Sequence, residues 1–315
     1  MNIKLKHLAA NQGNVVTRRQ ALDAGISDDE ISRRIRNHEW VTIRRGAYVP
    51  RETWNELSGE DKHRAKVHAV ALRLQGRFAF SHTSAAVLLG LPMWNVDLET
   101  VHVTRPAGGS TRHEADLWHH VCELGDEEVT DAFGLRLTNG TRTVIDNARL
   151  LPLESAMAIA DAALHTEQTT KDALLERLNG MRTWPGARTA GSVVEFADGR
   201  AESVGETWAR IVMEASGLPR PELQVVLETG DRVDFLFREY RTVVEFDGRH
   251  KYGRLLKQGE EAGDVVWREK RREDRIRSQG YQVVRLVWAD LYEPSLVAAR
   301  LERAFKVNGR REVAA

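Results

Sequence analysis

Two apolar segments separated by a short polar one occupy residues 232–247, which read RVDFLFREYRTVVEFD. The β-branched and aromatic residues on either side of Arg238–Arg241 favour two strands joined by a hairpin connection. A two-residue loop at Glu239-Tyr240 and a symmetric four-residue loop give the same register. In that register Asp234 lies opposite Glu245, so the stretch predicts a β-hairpin with an acidic pair across it.

Three carboxylates converge in this hairpin. Directly opposed residues have Cβ atoms roughly 4.5–5.5 Å apart, and Glu245 and Asp247, two positions apart, project from the same strand face. Crowded negative charge among apolar neighbours is costly unless a cation is bound. Exposure to solvent, or pairing with Arg232 or Arg241, explains one acid but not three. We therefore predict that Asp234, Glu245 and Asp247 bind Mg²⁺ or Mn²⁺, which activates water and stabilises charge on a phosphate.

A helix precedes the hairpin, and a basic helix and a further strand follow it. An apolar stripe predicts a helix over 202–217, and residues 264–278 and 281–288 predict the basic helix and the strand. The basic residues of the second helix are Lys270, Arg271, Arg272, Arg275 and Arg277. The order helix, strand, strand, strand, helix, strand places cations beside the acids, as scissile-phosphate chemistry requires. A solvated surface explains such a basic helix equally well.

The first 50 residues predict a winged helix-turn-helix. Thr17 is a helix N-cap, and Ser27 with Glu30 three residues later forms a capping box for the next helix. Two β-rich segments follow within residues 40–49. In this fold the second helix of the pair enters a major groove. The arginines expected to contact DNA are Arg33, Arg36, Arg44 and Arg45.

A small three-helix domain that binds another protein is the alternative interpretation of residues 1–50. Asp28 and Asp29 favour it, because acids at the start of the recognition helix would face phosphates, although they suit the helix dipole.

The segment 60–185 predicts a middle α+β domain. Ser81-His82-Thr83-Ser84 suggests nucleophilic catalysis, but a hydroxyl beside a histidine in sequence need not contact it in the fold, and Ser81 also suits a helix cap. His119-His120 is a weak metal site, because adjacent strand residues point to opposite faces.

The formal net charge of the 315 residues is zero, but the charge is unevenly distributed. Residues 1–50 contain nine Lys/Arg and five Asp/Glu, residues 249–277 ten and six, and residues 112–199 eight and fifteen. The two basic segments are suited to a polyanion such as DNA. The acidic middle domain is a candidate surface for a partner protein or for a homodimer.

No apolar run approaches the roughly 18 residues of a membrane span, and the N-terminus lacks the features of a secretory signal. The one cysteine, Cys122, excludes an internal disulfide and a zinc site built from thiolates alone. We therefore expect a cytoplasmic protein without a membrane partner.

Residues 200–305 resemble the PD-(D/E)XK nuclease superfamily, whose domains have a restriction-endonuclease-like α/β fold. The resemblance depends on Asp234 and on Glu245-Phe-Asp247-Gly. The acidic strand is followed by Gly248 and His250, and in this respect the sequence resembles the very-short-patch-repair endonuclease-like group.

That resemblance implies that a helix acid joins the metal site, either Glu206 or, alternatively, Glu202. Asp247 stands where the superfamily pattern has lysine, so another residue must supply proton transfer or phosphate contact. The candidates for that role are His250, Lys251 and Lys270. The residues expected to contact DNA in this domain are Lys251, Arg271 and Arg275.

Residues 1–50 resemble the N-terminal winged-helix domain of AbiEi-type antitoxins, through Thr17–Ala21, Gly25-Ile26 and the pattern from Trp40 to Tyr48. The middle segment resembles the rest of those proteins, through 81–86 and 142–146. This resemblance implies DNA binding, at the protein's own promoter among other sites, and a link to phage defence or mobile elements.

Two functional hypotheses follow from the sequence. The favoured one is a Mg²⁺- or Mn²⁺-dependent DNA endonuclease that is targeted by the winged helix. The alternative is a transcriptional regulator or antitoxin whose nuclease-like domain has lost catalysis, which the missing lysine after Glu245 favours.

Overall fold

The structure is a computed structural model that describes residues 3–106, 110–114, 116–248 and 262–309. The chain divides into two compact units, Met1–Ile159 with Glu167–Phe196 and Ala160–Thr166 with Ala197–Ala315. No helix within the described ranges is long and apolar enough to cross a membrane.

The first unit begins with a winged helix-turn-helix. Its elements are α1 (Ile3–Ala10), β1 (Val16–Thr17), α2 (Arg18–Asp23), α3 (Asp28–Arg36), β2 (Trp40–Arg44) and β3 (Ala47–Pro50), with the strands in the order β1-β3-β2. Thr17 forms a reciprocal capping box with Gln20, and the Ser27 hydroxyl accepts the amide of Glu30. α2 and α3 begin at the two caps that the sequence predicts. The capping box predicted at Ser27 and Glu30 does not form, because the Glu30 carboxylate binds Arg34 instead.

A six-stranded mixed sheet forms the remainder of the first unit. The strands are β4 (Ala79–Phe80), β5 (Val101–Arg105), β6 (Arg112–Glu114), β7 (Leu117–Val121), β8 (Val129–Ala132) and β9 (Leu135–Thr138), in the order β6-β7-β5-β4-β9-β8. The pairs β5–β7 and β4–β9 are parallel, and the others are antiparallel. Phe80, Val103, Leu117 and Leu137 are buried in its core.

Seven further helices lie between residues 51 and 196 in the described part of the chain. They are α4 (Arg51–Glu56), α5 (Gly59–Ala71), α6 (His82–Leu88), α7 (Gly140–Leu150), α8 (Leu153–His165), α9 (Lys171–Asn179) and α10 (Ala187–Phe196). α5 begins at Gly59, because the Ser58 side chain caps it by accepting the amide of Asp61. α8 starts at Leu153, shortly after α7 ends at Leu150.

The second unit contains a four-stranded mixed sheet. Its elements are α11 (Val204–Ala215), β10 (Glu222–Val226), β11 (Arg232–Phe237), β12 (Thr242–Asp247), α12 (Ala262–Ser278), β13 (Gln282–Val287) and α13 (Pro294–Asn308). The strand order is β10-β11-β12-β13, with only β12 and β13 parallel. Phe235 and Val244 are buried with residues of α11 and α13. Leu236 and Val243 are buried on the other face with Ile276 of α12. Alternate residues of the hairpin therefore fill two apolar layers, one on each face of the sheet. Asp234, Glu245 and Asp247 lie toward the open end of the hairpin, away from its loop.

Candidate functional site

The β11–β12 hairpin has the register that the sequence predicts. Phe237 lies opposite Thr242, and Phe235 lies opposite Val244. Residues 238–241 form a four-residue loop with a 3₁₀ turn and a left-handed residue at Arg241 (φ 43°). At the open end of the hairpin, the Asp234 carboxylate accepts the Phe246 amide at 2.8 Å. Asp234 is thereby held against β12, beside Glu245.

A helix acid joins Asp234 through a glutamine bridge. The Gln224 side-chain amide lies 2.9 Å from Glu206 Oε2 and 3.5 Å from Asp234 Oδ1. Gln224 has a left-handed backbone (φ 51°), which is uncommon for a residue with a side chain and is often found at functional sites. Glu206 is buried, and it also accepts the Ser203 hydroxyl at 2.8 Å. Of the two acids predicted for this role, Glu206 on α11 therefore lies beside Asp234, whereas Glu202 precedes the helix and pairs with Arg232 at 2.6 Å.

Glu245 has a cation of its own. The Arg272 guanidinium contacts the two carboxylate oxygens of Glu245 at 2.7 and 3.0 Å, a two-point pair with favourable planar geometry. Neither Arg232 nor Arg241, the partners considered from the sequence, fills this role. The inference that only a bound metal makes this acidic pair tolerable is wrong for Glu245, because Arg272 of the basic helix supplies the compensating charge.

The remaining predicted residues of this site are spread over its surroundings. Asp247 is half-buried at the end of β12, paired in the sheet with Val287. Lys270 and Arg271 are exposed on α12, and Arg275 pairs with Asp231 at 2.7 Å. The predicted metal ligands are Asp234, Glu245, Asp247 and Glu206. Within the ranges that the structure describes, no three of these four carboxylates have oxygens within 4.8 Å of one another. The predicted His250 and Lys251 lie outside the described residues.

Burial raises the pKa of the Asp234 carboxyl, and the charge of Glu206 adds to the effect, while the Phe246 amide opposes it. Burial also raises the pKa of Glu245, against the opposing influence of Arg272. Two partly buried acids with raised pKa values in one corner of a sheet are typical of functional sites, although structural ion pairs produce the same shifts.

We expect Asp234→Asn to stabilise the metal-free chain at neutral pH. The folded-state pKa of Asp234 lies above its unfolded value, so the folded state holds this proton more tightly, and stability falls as pH rises through the window between the two values. The amide removes this cost and still accepts the Phe246 amide. Urea unfolding at pH 7 should show a gain of about 0.5–2 kcal/mol, the usual range for a single stabilising substitution. A gain that is equally large at pH 3 would contradict this explanation.

The winged-helix surface exposes only part of the predicted arginine set. Arg33 and Arg36 are exposed on α3, and Arg45 is exposed at the turn between β2 and β3. Arg44 is mostly buried and pairs with Asp116 at 2.8 Å and with Glu114 at 3.6 Å. The charge of Arg44 is therefore already paired within the first unit, and its contact with DNA stays a prediction.

The acids at the start of α3 do not leave a bare negative patch. Arg18 of α2 forms an ion pair with Asp28, and Glu30 is bound by Arg34. Arg36 has no carboxylate within salt-bridge distance among the described residues. The exposed positive charge of α3 is thus concentrated toward its C-terminal half.

The first unit contains a cluster of three histidines that the sequence pattern does not indicate. Ligand-capable ring nitrogens of His82, His102 and His120 all lie within 4.8 Å of one another, the only such group of three or more His, Cys, Asp or Glu residues in the described chain. His119 points away and contacts Glu114 and Arg105, as expected for adjacent strand residues. Burial lowers the pKa of both His102 and His120 to about 3 and lowers that of His82 as well, so all three rings are neutral at pH 7.

Residues 4–51 match the family described as transcriptional regulator, AbiEi antitoxin. The chain therefore carries an AbiEi antitoxin-like transcriptional-regulator domain at its N-terminus. Two uncharacterized proteins of Mycobacterium tuberculosis, MT2308 and Rv2248, are each 33% identical to it over 167 residues. The match covers 51% of this chain and 58% of each relative.

The crystal structure of the RV2827C protein from Mycobacterium tuberculosis is similar with a TM-score of 0.41 and 15% identity, over 65% of this chain and 78% of that one.

Proposed function

We propose that this protein is a transcriptional regulator that binds duplex DNA through α3 of its winged helix. The observation that carries the proposal is the pair of exposed arginines, Arg33 and Arg36, on the second helix of a helix-turn-helix whose segment matches a transcriptional-regulator family. In this fold that helix enters the major groove, where arginine recognises guanine and neighbouring cations contact phosphates.

The neighbouring elements support this mode of binding. α2, which crosses the backbone in this fold, exposes Arg19. The turn that precedes β3 exposes Arg45 beside Gly46, whose left-handed backbone (φ 71°) allows the tight turn of a wing. The Arg18–Asp28 ion pair reduces the repulsion between phosphates and the N-terminus of α3.

Fluorescence anisotropy of labelled duplexes tests the proposal. The full chain would be titrated into fragments that tile the region upstream of its own gene and into shuffled duplexes of equal length. We expect one fragment to bind at least 10³-fold more tightly than the shuffled set, with an affinity that falls steeply with salt. Equal, weak affinity for every fragment would contradict a sequence-specific regulator.

A second candidate function is metal-dependent cleavage of DNA by the second unit. It is favoured by the contact of Glu206 and Asp234 with one bridging amide, and by the element order shared with the PD-(D/E)XK resemblance. Asp234, Glu245 and Glu206 would hold Mg²⁺ or Mn²⁺, with Asp247 completing the set of ligands, and the ion would supply an activated water. Against it stand the Arg272 partner of Glu245 and the absence of the usual lysine.

Plasmid and single-stranded DNA cleavage with Mg²⁺ or Mn²⁺ tests this second candidate. If it is right, the wild type cuts, and Asp234→Asn combined with Glu245→Gln lowers the rate at least 100-fold, because these side chains would be ligands of the ion. The matched control is Glu214→Gln with Glu222→Gln, which changes the charge equally at two arginine-paired acids of the second unit. Metal-stimulated cutting that survives in the double variant, or no cutting by the wild type, would end this candidate.

A further inference from the structure

We propose that His82, His102 and His120 form a binding site for one divalent transition-metal ion, with Zn²⁺ as the best-suited ion. Imidazole nitrogen is a preferred ligand of Zn²⁺, Cu²⁺ and Ni²⁺, whereas Mg²⁺ and Ca²⁺ prefer oxygen. Three histidines with an open fourth position are a recurrent arrangement at protein zinc ions. This site is separate in residues and in chemistry from the acids of the second unit.

Three elements bring the rings together. His102 lies on β5 and His120 on β7, and the parallel register pairs Thr104 with His120, so the two histidines project from one face of the sheet. His82 opens α6 with a left-handed backbone (φ 51°). Its ring stacks on His120 with centroids 3.8 Å apart. A non-glycine residue in this conformation is uncommon, and such residues are often found at ligand sites.

The distance between the facing nitrogens of His102 and His120 is close to the spacing of two ligands at a zinc ion. Zn–N bonds of about 2.0–2.1 Å in a tetrahedron place two ligand nitrogens roughly 3.3–3.4 Å apart. His102 Nδ1 and His120 Nε2 are 2.9 Å apart and share a hydrogen bond. Metal binding replaces that bond: the shared proton moves to the other nitrogen of the same ring, and each facing nitrogen then gives a lone pair to the ion. No proton is released, because the rings are already neutral.

A hydroxyl next to the cluster fixes the orientation of the third ligand. Ser81 Oγ is 2.9 Å from His82 Nδ1, and it also accepts the Thr104 hydroxyl at 2.8 Å. With its proton on Nδ1 and donated to Ser81, His82 presents the lone pair of Nε2. Ligating histidines usually have such a second partner, which sets the tautomer and raises affinity. In the sequence, Ser81 next to His82 suggests nucleophilic catalysis. In the proposed site, their hydrogen bond instead positions His82 as a ligand.

The charges around the cluster do not exclude a cation. Arg142 and Arg149 lie close enough to His82 and His120 to influence their protonation. Both guanidinium groups are engaged by the Asp146 carboxylate, at 2.8 and 3.4 Å. Asp146 is also near enough to His120 to favour positive charge there. His82 and His102 are buried while His120 is partly exposed, so an ion would enter on the His120 side.

Co²⁺ and Zn²⁺ titrations of the full, chelator-treated chain test the proposal. We expect one equivalent of Co²⁺ to bind and to give the intense visible absorption of a tetrahedral ion, which Zn²⁺ then displaces. Zn²⁺ at 100-fold its Kd should raise the Tm by on the order of 5–10 °C. His120→Gln should abolish the Co²⁺ spectrum, and Ser81→Ala should weaken Zn²⁺ binding about 10-fold.

The matched control is His119→Gln, which changes the adjacent, buried histidine on the opposite face of the same strand. It should leave the Co²⁺ spectrum unchanged. A wild-type chain without this spectrum, or a spectrum that His119→Gln removes and His120→Gln retains, would overturn the proposal. If a histidine variant fails to fold, the proposal is still tested by the wild-type Co²⁺ spectrum and by its loss when Zn²⁺ displaces Co²⁺.

Discussion

Replacing Arg33 and Arg36 together by alanine is expected to weaken binding of the preferred duplex by about 100-fold. Both side chains are exposed on α3, and each contact of an arginine with a base edge contributes roughly 1–3 kcal/mol. Each phosphate contact that is lost also lowers the dependence of log Kd on log salt by about 0.9. The measurement is anisotropy of the tightest upstream fragment over a series of salt concentrations.

The control for this prediction is Arg182→Ala with Arg188→Ala. These two arginines are also exposed in the first unit, and their loss changes the net charge by the same amount. The control should bind within about two-fold of the wild type, because nonspecific field effects are small once salt screens them. Equal losses in the two double variants would show that only net charge matters, and α3 would then have no specific role.

Asp146→Ala is expected to destabilise the first unit by about 3–5 kcal/mol, the usual cost of leaving a buried charge without its partner. Arg142 and Asp146 are fully buried and form a 2.8 Å ion pair within α7. Glu128 also contacts Arg142, at 3.0 Å, but it cannot replace the lost hydrogen bond to Nε. Urea or thermal unfolding measures the effect, and the Tm should fall by roughly 10 °C.

Asp126→Ala is the matched control, because Asp126 also contacts two arginines, Arg77 at 2.6 Å and Arg136 at 2.7 Å, but on the surface. Solvent screens an exposed pair, so its loss should leave the unfolding midpoint almost unchanged. If both aspartate variants moved the midpoint equally, burial would not be the cause of the effect.

The local structure was predictable from the sequence because it depends on near neighbours. The hairpin register follows from the alternation of apolar residues around residues 238–241, and the starts of α2 and α3 follow from the caps at Thr17 and Ser27. The position of Asp234 beside β12 is a direct consequence of that register.

The partners of the charged groups were not predictable, because they come from distant parts of the chain. Arg44 meets Asp116 across 72 residues, and Arg272 meets Glu245 across 27. Nothing local distinguishes an arginine that pairs with a carboxylate from one that faces solvent. Arg272 beside Glu245 therefore supplies a compensating charge that the sequence pattern does not indicate.

The histidine cluster was missed for a related reason. Correct pairing of β5 with β7 and the left-handed conformation of His82 are both needed to bring the rings together. The available signal is the two-residue spacing within each strand. It places His102 on the same face of its strand as Thr104, and His120 on the same face of its strand as Trp118. That signal becomes useful only once the two strands are known to be parallel neighbours.

Hydrogen–deuterium exchange of the full chain with and without its tightest duplex tests the proposed DNA contact most directly. We expect slower amide exchange in α3 and in the β2–β3 turn, with residues 232–247 unchanged, because α3 would lie in the groove. Slower exchange confined to the second unit, with α3 unaffected, would contradict DNA recognition by the winged helix.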